Sequence, residues 1–313
     1  MGLVRAQECN RAIGVFGFGS RRGSARWDRP LKLPAASVNG RYVRFGVAAL
    51  AVGLGLWVVL GQDKAFKSAP DDALVSVNLQ DLTWTEVARA LEQGYDTAII
   101  PTGGTEQNGP HVILGKHNYV VAAAAEQIAQ KLGNTLVAPV IAFVPEGNFS
   151  PEPSLHMRFP GTISVREEVF AALLEDTARS LATHGFQRII FIGDSAWNQP
   201  AQQTVAEALS LEWAERGIRV LQISDYYAAN GQTEWLGEQG YSLGQIGQHA
   251  AMRDTSEVLA VNPDGVRTRF VPPPNEMDAG YDGAPSLASK EIGETMITLK
   301  VQAALRQITR AAE

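Results

Sequence analysis

Two periodicities alternate along this chain after residue 74. Short runs of consecutive apolar residues predict strands covered on both faces, and the stretches between them return an apolar residue every three or four positions, as amphipathic helices do. The runs are Leu74–Leu79, Thr97–Pro101, Thr135–Val144, Ile189–Ile192 and Val220–Ile223. The helical stretches are Trp84–Gln93 with Thr83 or Asp81 as its cap, Asn118–Lys131, Ser164–His184, Thr204–Arg216, Arg253–Leu259 and Ser289–Ile308. Ser164–His184 is the clearest of these. Phe170, Leu174, Ala178 and Leu181 lie on one stripe with Val169 and Leu173 beside it, Ser164 and Glu167 have capping-box spacing, and Gly185 follows as a stop.

Strand and helix in alternation predict a mainly parallel sheet between two helical layers. Sites in such folds lie beyond the carboxyl ends of the strands, so the polar breaks after Pro101, Val144, Ile192 and Ile223 are expected to share one edge. Asn230–Gly247, glycine-rich and containing Trp235, is read as a lid or interface segment.

Ahead of this body the pattern changes. Residues 1–44 carry nine Arg or Lys against Glu8 and Asp28, so the net charge of −6 conceals about +7 there and −13 in the rest. Phe45–Gly61 is an uncharged run of 17 residues behind Arg41 and Arg44, which predicts a membrane anchor or the apolar part of a signal peptide, with the body on the extracytoplasmic face. Residues 62–73 form a linker, and 74–313 the folded domain. The basic leader has no basic and aromatic continuation in the body, which argues against a nucleic-acid partner. The single cysteine, Cys9, lies in the leader, so the body has neither a disulfide nor thiolate chemistry.

Four polar clusters follow the breaks. PTGGTEQNGPHVILGKHN (101–118) offers Glu106, His111 and His117 as ligands of a divalent metal. SLHMRFPGTIS (154–164) offers His156, to orient a ligand or to serve the scaffold, ahead of a rigid turn. IGDSAWN (192–198) brings Asp194 off the most apolar strand, as ligand, base or cap, and Ser195 as a candidate nucleophile in a GDS block like that of SGNH-type esterases. GQHAAMRDTSEVLA (247–260) offers His249 and Asp254.

Taken together these clusters resemble the creatininase (creatinine amidohydrolase) family. GTEQNGPHVILGKH (104–117), HMRFPGTIS (156–164), IGDS (192–195), HAAMRDTS (249–256) and GAPSLAS (283–289) follow that family's motifs in order and spacing. The resemblance implies a three-layer α/β/α creatininase-like fold in cyclic or hexameric homo-oligomers, with one or two divalent metals. Carried over by position, the family's ligands fall on Glu106, Asn108, His117, Asp194 and Ala196. Asn108 and Ala196 weaken a second metal position, so the expected set is one zinc or manganese on Glu106, His117 and Asp194.

The implied activity is hydrolysis of a small amide, lactam or related C–N bond by a metal-activated water. His249 would handle the proton or the oxyanion with Asp254 in support, and Asn108, His111, His156, Ser195 and Trp235 would face substrate or back the site. Two alternatives remain: a non-catalytic binding or assembly protein in which His117 and Asp194 merely pair, and a serine esterase built on Ser195.

Overall fold

A computed structural model describes residues 74–274 and 279–312. The segment 45–61 lies outside these, and among the described residues no helix is long and apolar enough to cross a membrane. Four parallel strands form the sheet, β1 (Thr97–Thr102), β2 (Thr135–Val137), β3 (Arg188–Gly193) and β4 (Arg219–Gln222), in the order β2-β1-β3-β4. The helices are α1 (Trp84–Glu92), α2 (Lys116–Leu132), α3 (Glu167–Thr183), α4 (Gln199–Glu212), α5 (Gln232–Glu238), α6 (Leu243–Ile246), α7 (Met252–Val261) and α8 (Lys290–Ala312).

Side chains alternate across the sheet, and the core divides accordingly. Ile99, Ile190 and Ile192 pack with Val120, Val121 and Ile128 of α2 and Ile297 and Val301 of α8. Ile100, Ile189 and Phe191 face the other way, onto Phe170 and Leu174 of α3 and Val205 and Leu209 of α4. This is the three-layer α/β/α arrangement expected from the pattern.

Three local expectations fail, each for a physical reason. Leu74–Leu79 is not a strand: Ser76 accepts a hydrogen bond from the Asn78 amide and donates to Asp81, so a side-chain turn replaces the ladder, leaving one bridge from Asn78 to Val137. The run from Thr135 stops pairing at Val137, because Pro139 has no N–H to donate, and touches β1 once more through Ile141. Ser164 does not cap α3, since its hydroxyl donates to Gly147 O and accepts from Glu146 N. Capping boxes form instead at Thr83 with Glu86 on α1 and at Ser242 with Gln245 on α6.

Asn230–Gly247 folds as α5 and α6. Trp235 packs beside Leu236, Ile246, Met252 and Met296.

Candidate active site

Each of the four predicted breaks delivers a carboxylate or phenol to one edge of the sheet. Glu106 follows β1, Glu146 follows Val144, Asp194 directly follows β3 and Tyr226 lies beyond β4, all of them buried. Gly103 and Gly104 let the chain turn sharply after β1: a Cβ on Gly103 would strike Asn118, and one on Gly104 would strike Glu146. The first turn of α2 supplies Lys116 and His117, α7 supplies Asp254 and Glu257, and α8 supplies Lys300.

These groups form a closed floor of alternating charge. His117 Nδ1 lies 2.7 Å from Asp194 Oδ2, and its Nε2 lies 2.9 Å from Glu106 Oε1. Because a carboxylate only accepts, both ring nitrogens donate and His117 is an imidazolium bridge. Lys116 Nζ sits 2.5 Å from Asp254 Oδ2 and 3.4 Å from Glu106 Oε1. Lys300 Nζ joins Asp194 Oδ1 at 2.7 Å to Glu257 Oε1 at 3.0 Å. Tyr226 donates to Asp194 Oδ1 at 2.8 Å, and Gln232 donates to Glu257 at 2.6 Å.

The protonation states follow from this arrangement. Burial alone would raise Glu106, but the charges of His117 and Lys116 outweigh it and hold the carboxyl well below the usual range. Burial likewise opposes ionisation of Asp194 and Asp254, and Lys300 and Lys116 respectively overcome it, leaving both lowered. Burial and the Lys116 charge push His117 down, yet Glu106 and the hydrogen bonds to both carboxylates win, and its pKa is raised. Glu146 has no such help. Burial and the adjacent Glu106 carboxylate push it up to about 10, and no described group donates a hydrogen bond to either of its oxygens.

Above the floor opens a cavity of about 450 Å³ whose wall includes His156, Ser195, Trp197, Asn230, His249 and Arg253. Glu106, His156 and His249 bring ligand atoms within 4.8 Å of one another. His156 Nε2 is 3.3 Å from Glu106 Oε2, and His249 Nδ1 is 3.7 Å from Glu106 Oε1. Gln107 holds both rings from behind: its Nε2 lies 3.0 Å from His156 Nδ1 and 3.0 Å from His249 Nε2, and its backbone oxygen is 3.0 Å from the same His249 nitrogen. Burial drives both histidines toward the neutral form, with His249 down to about 3, so their nitrogens can offer lone pairs.

The donor chemistry separates the two candidate metal sets. At Glu106, His117 and Asp194, both nitrogens of His117 are committed to carboxylates, and Asp194 already accepts from His117, Tyr226 and Lys300. In this arrangement the imidazole and the two carboxylates hold one another directly. At Glu106, His156 and His249, His249 Nε2–H donating to Gln107 O leaves Nδ1 bare. His156 faces Glu106 through Nε2 and the Gln107 amide through Nδ1, and that amide is oriented by the Gly109 N–H donating to its Oε1. One ion fits there.

The remaining predicted residues fall around this centre. Asn108 is buried and ties the loop together by donating to Glu106 O and Ile113 O, and His111 is buried against Thr255 and Tyr281. Asp254 stands in the first turn of α7 and accepts from Ala250 N as well as Lys116. Ser195 lines the cavity, but no histidine among the described residues hydrogen-bonds its hydroxyl, so the esterase alternative lacks its base. Trp235 lies outside the cavity lining.

Sequence reasoning missed Lys116, Lys300, Glu257, Gln107, Glu146 and Arg253. Lys116 and Gln107 sit inside the first motif, where they could have been weighed. Lys300 is marked only by being a charge on the otherwise apolar face of α8, beside Met296, Ile297 and Val301.

The sequence profile of the creatininase (creatinine amidohydrolase) family matches residues 80–308. The chain is 26% identical to the creatinine amidohydrolase of Pseudomonas putida over 251 residues, 72% of this chain and 94% of that one. It is 28% identical to the mycofactocin precursor peptide peptidase of Mycolicibacterium smegmatis over 189 residues, 59% of this chain but only 65% of the peptidase. The crystal structure of a creatinine amidohydrolase superposes with a TM-score of 0.63 at 24% identity, covering 76% of this chain and 98% of that one, and solved creatininases with this fold include a manganese form and a Zn–Zn form. From the profile match over most of its length, the parallel three-layer fold and the motif residues gathered at one sheet edge, this chain belongs to the creatininase family.

Proposed function

We propose that the chain hydrolyses a carbon–nitrogen bond in a small amide or cyclic amide, with one divalent ion, zinc or manganese, held by Glu106, His156 and His249. The convergence of those three side chains at the wall of a cavity sized for a small molecule carries the reading. When bound, such an ion polarises a substrate carbonyl and acidifies a water. The chain's own residues set the stage. Gln107 fixes the planes of both imidazoles, and the imidazolium of His117 pins Glu106 from below. Asp194 and Lys300 in turn anchor His117 and act as positioning residues. Asn230 and Gln248 add polar contacts on the cavity wall.

Elemental analysis of the full chain, purified without a metal-affinity tag, tests this. About one equivalent of zinc or manganese is expected, lost in a His156→Ala/His249→Ala variant, together with ring opening of a panel of lactams. A second reading, a binding protein without catalysis, is favoured by the His117–Asp194 pair, which needs no ion. No bound metal after zinc and manganese are added back would sink the hydrolase and leave that reading. The extracytoplasmic location expected from residues 45–61 belongs to the same proposal, and cell fractionation checks it.

A further inference from the structure

Every cation of the floor has two carboxylate partners except one. Lys116 lies between Asp254 and Glu106, Lys300 between Asp194 and Glu257, and His117 between Glu106 and Asp194. Arg253, on the first turn of α7, lines the same cavity with its side chain only 23% exposed. Among the described residues its only ion pair is a single contact from Nε to Asp254 Oδ1 at 3.7 Å, beyond hydrogen-bond length, and its guanidinium donates no hydrogen bond to any of them. A guanidinium carries five N–H donors in a planar fork, and withdrawing it from water without acceptors is costly. The acceptor that suits it is a planar oxyanion taken by two parallel hydrogen bonds. Each carboxylate of the floor shares an internal cation, which reduces its repulsion of such an anion.

We propose that Arg253 is the anion-recognition residue of this cavity and that the substrate is a small amide or lactam bearing a carboxylate. The assignment names the substrate class of the proposed hydrolase and rests on that reading for the bond cleaved, though not for the binding itself. Arg253, His156 and His249 line the same cavity of about 450 Å³, so one small ligand can lay its carboxylate on the guanidinium while its amide reaches the His156–His249 wall.

The test compares 2-pyrrolidone-5-carboxylate with 2-pyrrolidone by calorimetry on the full chain and on Arg253→Gln and Arg253→Lys, with melting curves to establish that each variant is folded. The wild type should bind the carboxylate probe at least about tenfold more tightly, a ratio suited to a charge-assisted bidentate pair. Arg253→Gln should bring the two probes within about threefold of each other, and Arg253→Lys should recover only part of the preference, because it keeps the charge and loses the fork. Inorganic phosphate that displaces the carboxylate probe from the wild type but not from Arg253→Gln supports the same subsite. A wild type that does not prefer the carboxylate probe, or a folded Arg253→Gln that keeps the preference, overturns the assignment. Preference without turnover or bound metal would sink the hydrolase and leave Arg253 standing, whereas turnover of both lactams without preference would do the reverse.

Discussion

At Glu146 burial decides the charge. An isolated glutamate ionises near 4.5, whereas here the group stays protonated up to about 10 because it is buried beside Glu106. A folded pKa above the unfolded one contributes stability that is complete below the unfolded value and is lost as pH rises toward the folded one. Glu146→Gln, which copies the neutral acid, should therefore have little effect near pH 4 and stabilise by on the order of 2 kcal/mol near pH 7. Urea unfolding at the two pH values reads the difference; an equal effect at both would refute it. His249 works in the opposite sense. Its folded pKa of about 3 is depressed, so its contribution is complete above about 6.5 and falls away on acidification toward 3. Neither residue's state follows from its identity, since each depends on neighbours about 40 or 140 positions away along the chain.

Among the elements, the contact between α7 and α8 sets the floor. Gly293 on α8 lies so close to α7 that a Cβ there would collide with the Ser256 carbonyl oxygen. That approach brings Lys300 within reach of Glu257 and Asp194. Gly293→Ala should cost roughly 1–3 kcal/mol through forced separation of the two backbones. Lys300→Met should cost about 3–5 kcal/mol, because Asp194 and Glu257 would stay buried without their shared cation. Chemical denaturation measures both. A Lys300→Met variant as stable as the wild type would mean that the floor does not depend on this ammonium. Gly293 lies inside the helical stretch Ser289–Ile308, where nothing local marks it, and its role depends on a helix packed from elsewhere in the chain. The strands, by contrast, were legible to within a few residues where apolar runs were unbroken, as at β3, and failed where Ser76 or Pro139 interrupted the ladder.

For the whole molecule, the internal cations predict a fold that does not wait for metal. Lys116, His117 and Lys300 already give each of Glu106, Asp194, Asp254 and Glu257 a cation partner, so the chain stripped by a chelator should keep its circular dichroism spectrum at 25 °C and still unfold in one cooperative transition. Loss of the folded spectrum on chelation would show instead that an ion is part of the scaffold.

The alternation of apolar runs and amphipathic stretches determined, without any structure, a parallel sheet between two helical layers and the edge at which its polar breaks would meet. That information is local, because it lies in the period of the side chains within each segment. The motif residues also determined the family resemblance and, among the charged groups in the site, Glu106, His117, Asp194 and Asp254. Which of them pair was decided only by the tertiary structure. His117 lies between Asp194 and Glu106, and His156 and His249, from separate loops, converge on Glu106. Charge pairing acts through space over a few ångströms, and residues 116 and 254, or 194 and 300, come within that range only after the sheet and helices have packed.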